Sequence, residues 1–190
     1  MLCIEGTYST TAGATACVDC ERGTYAAASG AISCNLCGSD SDSVSGSSDA
    51  TACICNAGFS GPDGGPCSSC PSGEYKEVSG THSCLPCPPG SYSVGGAALC
   101  TQCPFRTISP SRSQTILNCS CQIGYSGPDG SNQCDECLRG FFKPIAGSSL
   151  CLQCAAGQYS NETGMSRCLS CPYMQSSTAG SVSKSGERFF

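Results

Sequence analysis

The side-chain chemistry open to this chain is that of sulfur. Its 190 residues include 21 cysteines and a single histidine, His82. Cysteine at about 11% serves as metal ligand, redox dithiol or disulfide. Beyond Cys3 the cysteines come in close pairs: Cys17/Cys20, Cys34/Cys37, Cys53/Cys55, Cys67/Cys70, Cys84/Cys87, Cys100/Cys103, Cys119/Cys121, Cys134/Cys137, Cys151/Cys154 and Cys168/Cys171. The gaps between pairs are 11 to 15 residues long.

Cys17-x2-Cys20-x13-Cys34-x2-Cys37 has the spacing of a four-thiolate zinc module, and spacing alone does not reject that reading. Three features favour disulfides. The array runs on, so each CxxC has two equivalent neighbours and zinc modules have no defined register. Cys53/Cys55 and Cys119/Cys121 are CxC pairs, too tight for the usual knuckle. The net charge is −5 with nine Lys and Arg scattered singly, whereas zinc modules of this spacing typically serve basic nucleic-acid-binding domains. A redox-active CxxC needs a thiolate favoured at a helix N-terminus on an α/β scaffold, and no helical or βαβ pattern accompanies these pairs. Neither metal nor another cofactor is expected.

His82 has no Ser/Asp constellation of catalytic spacing around it and reads as a loop residue, so no catalytic residue and no enzyme are expected. Asp40, Asp42 and Asp49 read as solvated carboxylates of a Ser-rich loop rather than a cation site. The scattered basic residues form no patch for phosphate, so nucleic acid is not an expected partner. No apolar run approaches the ~18–20 residues of a bilayer span. Met1-Leu2-Cys3 leaves no room for a signal peptide, so the secreted reading expects a mature piece or fragment of a longer precursor.

What positions the cysteines is a repeat. The pattern C-x2-G-x-[YF]-x3/4-G-x3-C starts at Cys3, Cys20, Cys70, Cys87, Cys137 and Cys154, with aromatics Tyr8, Tyr25, Tyr75, Tyr92, Phe142 and Tyr159. A second pattern, C-x-C-x2-G-[YF]-x-G-P-D-G, runs from Cys53 to Gly64 and from Cys119 to Gly130. The offsets Cys53→Cys119, Cys67→Cys134, Cys84→Cys151 and Cys100→Cys168 are 66, 67, 67 and 68. A super-repeat of about 67 residues thus overlies the short one, and divides the chain into 1–54 (partial), 55–120 (complete) and 121–190 (nearly complete). The glycines fall where short loops reverse, and Gly-Pro-Asp-Gly is turn chemistry. The third loop type, residues 38–52, 104–118 and 172 onward, is Ser/Thr-rich, lacks the aromatic, and is expected to be exposed and flexible. The predicted fold class is small and disulfide-rich: an elongated tandem array of short β-ribbon and loop modules with almost no helix.

With no Trp and 7% aromatics, burial alone does not offset chain entropy. Closing a loop of ~15 residues contributes about 3 kcal/mol in the chain-entropy model, so many small loops can replace a core. The simplest register closes each gap with its own pair and leaves Cys171 over, although sequence alone leaves connectivity open. The super-repeat would put a partner for Cys171 about sixteen residues on, near Glu187, where there is no cysteine. The expectation is that the array is cut there, the alternative being an interchain bond.

The motif C-x2-G-x-[YF]…C-x2-C resembles the ephrin-receptor-like and tumour-necrosis-factor-receptor-like cysteine-rich repeats, and CxC-x2-G-[YF]-x-G resembles the C-terminal half of an EGF-like domain. The resemblance covers residues 3 to 171. It implies an extracellular or cell-surface array in which each module contacts only its neighbours. It also supports sequential pairing: Cys3–Cys17, Cys20–Cys34, Cys37–Cys53, Cys55–Cys67, Cys70–Cys84, Cys87–Cys100, Cys103–Cys119, Cys121–Cys134, Cys137–Cys151 and Cys154–Cys168, with Cys171 unpaired. The half of an EGF-like domain with the calcium signature is missing, so calcium is not implied. The regularity is similar to that of large protist and algal surface proteins, including flagellar hairs and cell coats.

Asn118 in Asn-Cys-Ser and Asn161 in Asn-Glu-Thr are N-glycosylation sequons. Two functions remain: a structural rod or filament component partnered by itself, other extracellular chains and attached glycans, or a ligand-binding or adhesion ectodomain. Specialisation of one repeat separates them. The super-repeats drift without an aromatic or Arg cluster of hot-spot type, which favours the structural reading.

Overall fold

A computed structural model describes residues 2–11, 13–172 and 176–184. Within them every strand is two residues long, and the strands join as ten two-stranded antiparallel ribbons. The helical content of the described residues is two 3-10 turns, Ala50–Ala52 and Ile116–Asn118. This is the small disulfide-rich ribbon array that the spacing predicts.

We number the modules 1 to 10 by their cysteine-closed loops in chain order, from Cys3–Cys17 to Cys154–Cys168; module 11 opens at Cys171. In each module of the aromatic type the first strand carries the ring, as in Thr7–Tyr8, Glu74–Tyr75 and Phe141–Phe142. The return strand is the two residues between the cysteines of a CxxC. Tyr8 faces Val18, Tyr75 faces Leu85 and Phe142 faces Leu152. The spacing that imitates a metal knuckle is therefore the length of a return strand: one cysteine enters it and closes its own loop, the other leaves it and opens the next.

At the CxC pairs the return strand moves onto the second cysteine, so that Ile54–Cys55 pairs with Ser41–Asp42 and Ser120–Cys121 with Thr107–Ile108. The missing residue is absorbed by the 3-10 turn just before the pair. Cys53 N–H donates to the Ala50 carbonyl and Cys119 N–H to the Ile116 carbonyl, at 3.0 and 2.9 Å. Asp49 caps the first turn by accepting from Thr51 N–H at 2.8 Å, as short polar side chains do at such positions.

The Ser-rich stretches 38–52 and 104–118 are thus not the flexible loops expected. They are modules of the same kind, and Asp40 and Arg106 take φ of 60° and 64° where the other loops use glycine. Ser43, Ser47, Ser109 and Ser113 are buried in them, each with its hydroxyl donating to a backbone carbonyl. Of the third such stretch, residues 173–175 and 185–190 lie outside the described residues.

The chain divides into two compact units, residues 1–87 with 93–100 and residues 88–92 with 101–190. In each the interior is sulfur rather than hydrocarbon. Cys20, Cys55 and Cys70 in the first and Cys119, Cys121 and Cys154 in the second are fully buried, while Leu36 and Leu150 are 81% and 78% exposed. A cystine brings two side chains inside at no cost in unpaired polar groups, so a thin ribbon needs little else.

Candidate functional site: the module junctions

The recurring geometry of the molecule is the contact of one module with the next. Modules 4 and 5 illustrate it. Gly58 N–H donates to the Lys76 carbonyl at 2.8 Å, and Gly80 N–H donates back to the Cys55 carbonyl at 2.9 Å. Modules 8 and 9 repeat both bonds through Gly124 to Lys143 and Gly147 to Cys121, each at 2.9 Å. The same first-glycine bond joins Gly6 to Ala26, Gly23 to Ser43 and Gly140 to Ser160. Buried backbone groups of each thin ribbon are satisfied by the next ribbon.

The glycines also allow contact beyond the nearest neighbour, which corrects the expectation that each module meets only its neighbours. A Cβ on Gly58 in module 4 would strike the Gly96 carbonyl in module 6, and one on Gly124 in module 8 would strike the Gly164 carbonyl in module 10. The reason is local. Gly96 N–H is held by the Cys70 carbonyl of module 5, which turns the Gly96 carbonyl towards module 4.

At several junctions the residue after the aromatic position reaches back to the preceding module. Ser43 Oγ donates to the Thr24 carbonyl, Ser93 Oγ to that of Glu74, Ser109 Oγ to that of Ser91 and Ser177 Oγ to that of Gln158, all at 2.8–2.9 Å. Where the preceding module is of the CxC…GPDG type, lysine takes this place. Lys76 Nζ donates to the carbonyls of Phe59 at 2.6 Å, Cys55 at 3.3 Å and Gly80. Lys143 Nζ donates to those of Tyr125 at 2.7 Å and Gly147. The two lysines are 2% and 1% exposed. Burial pushes both ammonium pKa values below the ordinary lysine range, and the turn carboxylates Asp63 and Asp129 partly oppose this. An ammonium has three donors to place, and the junction offers carbonyls to match.

Among the described residues a different cluster forms in the second unit only. Arg106 Nη2 bonds Glu136 Oε1 at 2.8 Å, and its guanidinium carbon lies 4.8 Å from the Tyr125 ring centre and 5.2 Å from that of Phe105. Thr163 Oγ1 donates to Glu136 Oε2 at 2.6 Å. Thirty residues separate Arg106 from Glu136, so the aromatic and Arg cluster that inspection of the sequence did not find is assembled by folding. The signal was the change from Asp40 to Arg106 at one super-repeat position.

The structure places all ten gap-closing cysteine pairs at Cα–Cα separations of 5.5 to 5.8 Å, within the range a disulfide spans. Cys171 is the free thiol and is half-buried. Asn161 is exposed. Asn118 Oδ1 accepts from the N–H groups of Gln114 and Thr115, both at 3.1 Å. His82 and Asp40 are exposed. Asp42 and Asp49 are more engaged than solvated loop carboxylates: Arg22 Nε donates to Asp42 Oδ2 at 2.9 Å. That bond holds the Asp42 carboxyl below its usual range, and Thr51 does the same for Asp49. Among the described residues, no helix is long and apolar enough to cross a membrane.

Cystine-closed ribbons in tandem, each hydrogen-bonded to the next, define a disulfide-rich repeat protein. The chain belongs to the family described as tyrosine-protein kinase ephrin type A/B receptor-like, which matches residues 6–53, 58–97, 124–158 and 146–188, well over half of the sequence. The stretches left unmatched include residues 98–123, which hold the third-type module of the second super-repeat. The family is a cysteine-rich repeat of receptor ectodomains rather than a catalytic domain, and with the disulfide-rich ribbons it points to an extracellular location. No individual curated protein matches the chain.

Proposed function

We propose that the chain is a non-catalytic structural component outside the cell, a stapled array that spaces or polymerises, of the cell-surface, flagellar-hair or matrix kind. The observation that carries this reading is the repeated junction. The same glycine bonds and back-reaching Ser or Lys recur along both units, as a propagating one-dimensional assembly requires. In this reading 1–54, 55–120 and 121–190 are its sequence units and the ten sequential pairs are its native connectivity. Asn161 and Asn118 carry N-linked glycan, the latter through the Nδ2 that its cap leaves unused. The partners are further copies or other extracellular chains.

The test is sedimentation velocity over a concentration series with disulfides intact, alongside electron microscopy and non-reducing peptide mapping. Filaments or concentration-dependent oligomers support the proposal, and a strict monomer at every concentration sinks it. Twenty-one alkylatable thiols with bound zinc would overturn the disulfide basis as well.

A second reading, a ligand-binding or adhesion ectodomain, is favoured by one specific observation. The Arg106, Tyr125 and Glu136 cluster has no counterpart at the equivalent positions Asp40, Phe59 and Ser69, and specialisation of a single repeat is what recognition needs.

A further inference from the structure

Modules 4 and 8 turn their ring to a different face from the aromatic modules around them. In modules 1, 2, 5, 6 and 10 the ring is on the second strand residue and faces the first residue of the return strand, as Tyr25 faces Asn35 and Tyr92 faces Thr101. In modules 4 and 8 it stands one residue earlier and faces the second, with Phe59 opposite Ser69 and Tyr125 opposite Glu136. Side chains alternate between the faces of a strand, so a shift of one residue turns the ring over. Where the other ribbons carry their ring, these two carry Ser60 and Ser126.

The modules that follow these two are the ones with a lysine after the ring, Lys76 and Lys143. Hydrogen bonding alone does not call for lysine. The carbonyl that Lys76 takes from Phe59 is the one just after the module's first glycine, and serine reaches the matching carbonyl at Thr24, Glu74, Ser91 and Gln158. What sets lysine apart is its stem, and that stem is inside: the two residues are 2% and 1% exposed. Lysine ordinarily keeps its head in water. Buried methylenes in a close-packed junction need room, and room is what a ring turned to the other face vacates.

We propose that this lysine is the residue by which a module recognises a GPDG-type neighbour. Its stem fills the hollow left beside Ser60 or Ser126, and its ammonium caps the carbonyl of the displaced aromatic. A serine-bearing module would leave the hollow empty at such a junction, and a lysine-bearing module would meet a ring at any other, so the pairing rejects mismatches from both sides. Ring position in one module and the residue after the ring in the next are a two-part code for module order. The face of a GPDG module therefore takes one kind of partner, a ribbon with lysine one residue past its aromatic. This holds whether the array spaces or binds.

The experiment is amine labelling of the full chain with disulfides intact, read lysine by lysine by mass spectrometry. Lys184 is exposed and serves as the internal standard. In the wild type Lys76 and Lys143 should label at least roughly tenfold more slowly than Lys184, as groups that react only on local opening do. Ser93→Lys puts a lysine after module 5, whose Tyr75 ring keeps the common face, and the introduced amine should label as fast as Lys184. Phe59→Thr combined with Ser60→Tyr returns the module 4 ring to that face, and should expel Lys76 and raise its labelling to the Lys184 rate. Retention of the disulfides by intact mass checks the fold of both variants, and Ser93→Lys decides alone if the ring-shifted chain does not fold. A protected amine in Ser93→Lys, unchanged protection of Lys76 in the ring-shifted chain, or fast labelling of Lys76 and Lys143 in the wild type would each overturn the code.

Discussion

The two compact units share one ribbon frame and tie it down differently. A Cβ on Gly96 would meet Phe59 and Ser69 in the first, and one on Gly164 would meet Tyr125 and Glu136 in the second, at 3.7 to 4.0 Å. Lys76 and Lys143 perform the same clamp in both. The added ties diverge. The first has the Arg22 to Asp42 ion pair, which joins modules 2 and 3, and the second has Arg106 on Tyr125 and Glu136, which joins modules 7 and 8. The difference teaches that cystine, glycine and the clamping residue specify the array, whereas charged side chains adjust individual junctions.

The largest effects should therefore be equal in the two halves. Gly58→Ala and Gly124→Ala each force a left-handed φ, 82° and 79°, on a residue whose Cβ also meets a carbonyl of the module two steps on. Each should cost at least about 2 kcal/mol, the left-handed penalty plus displaced backbone. Gly157→Ala is the control: its φ is 81° but a Cβ there has none of the described residues within 4 Å, so it should cost only about 1 kcal/mol. Non-reducing denaturant unfolding, followed by amide exchange of the flanking ribbons, measures all three. Equal costs at Gly157 and Gly124 would show that the close approach contributes nothing.

Next come the clamps. Lys76→Met and Lys143→Met keep the stem and remove the donors, leaving carbonyls of Phe59 or Tyr125 unsatisfied, at about 1–3 kcal/mol each. The loss should again match between halves. Because burial lowers both ammonium pKa values, the unfolded chain binds more protons in the window below the ordinary lysine value of about 10.4. Stability then rises with pH through that window. Titration of the two ε-methylene signals should give midpoints below that value, and ordinary midpoints would refute the buried clamp.

Arg106→Ala should break the symmetry. The loss of a cation–π contact and a half-exposed ion pair amounts to about 1 kcal/mol, confined to the second unit, while Asp40→Asn at the equivalent place, which keeps a residue suited to its φ of 60°, should change nothing measurable. A double-mutant cycle of Arg106 with Glu136 isolates the pair, and a coupling near zero would reduce the cluster to coincidental proximity.

Much of this was legible before any coordinates. Cysteine spacing, paired glycines and one aromatic per loop predict ribbons, because each constrains a short loop locally. The Ser-rich modules were misread because composition there imitates a linker; the backbone is instead held by Asp40 and Arg106 at positive φ and by inward serines. The lysine clamps were hidden by the rule that lysine is exposed. Their one sequence signal is that Lys follows the aromatic only after a GPDG module, at Tyr75-Lys76 and Phe142-Lys143. The contacts two modules apart depend on how ribbons stack, and no spacing encodes that directly.

The smallest expected effect sits at the tie of the first half. Arg22 holds the Asp42 carboxyl below its ordinary value chiefly through its hydrogen bond, helped by Ser43 N–H, which donates to Asp42 Oδ1 at 2.9 Å. A depressed folded-state pKa stabilises above the unfolded value of about 3.9 and is lost as pH falls through the folded one. Acid should therefore loosen the junction of modules 2 and 3 and leave that of modules 6 and 7 unchanged, since Ile108 stands where Asp42 does. The Arg22 side chain is 77% exposed, so salt should screen the pair and make the effect modest. Carboxyl titration by NMR with Ser43 amide exchange reads it. Arg22→Ala should raise the Asp42 midpoint and move the pH dependence at Ser43 up with it, and an unmoved midpoint would mean that the pair does not persist in solution.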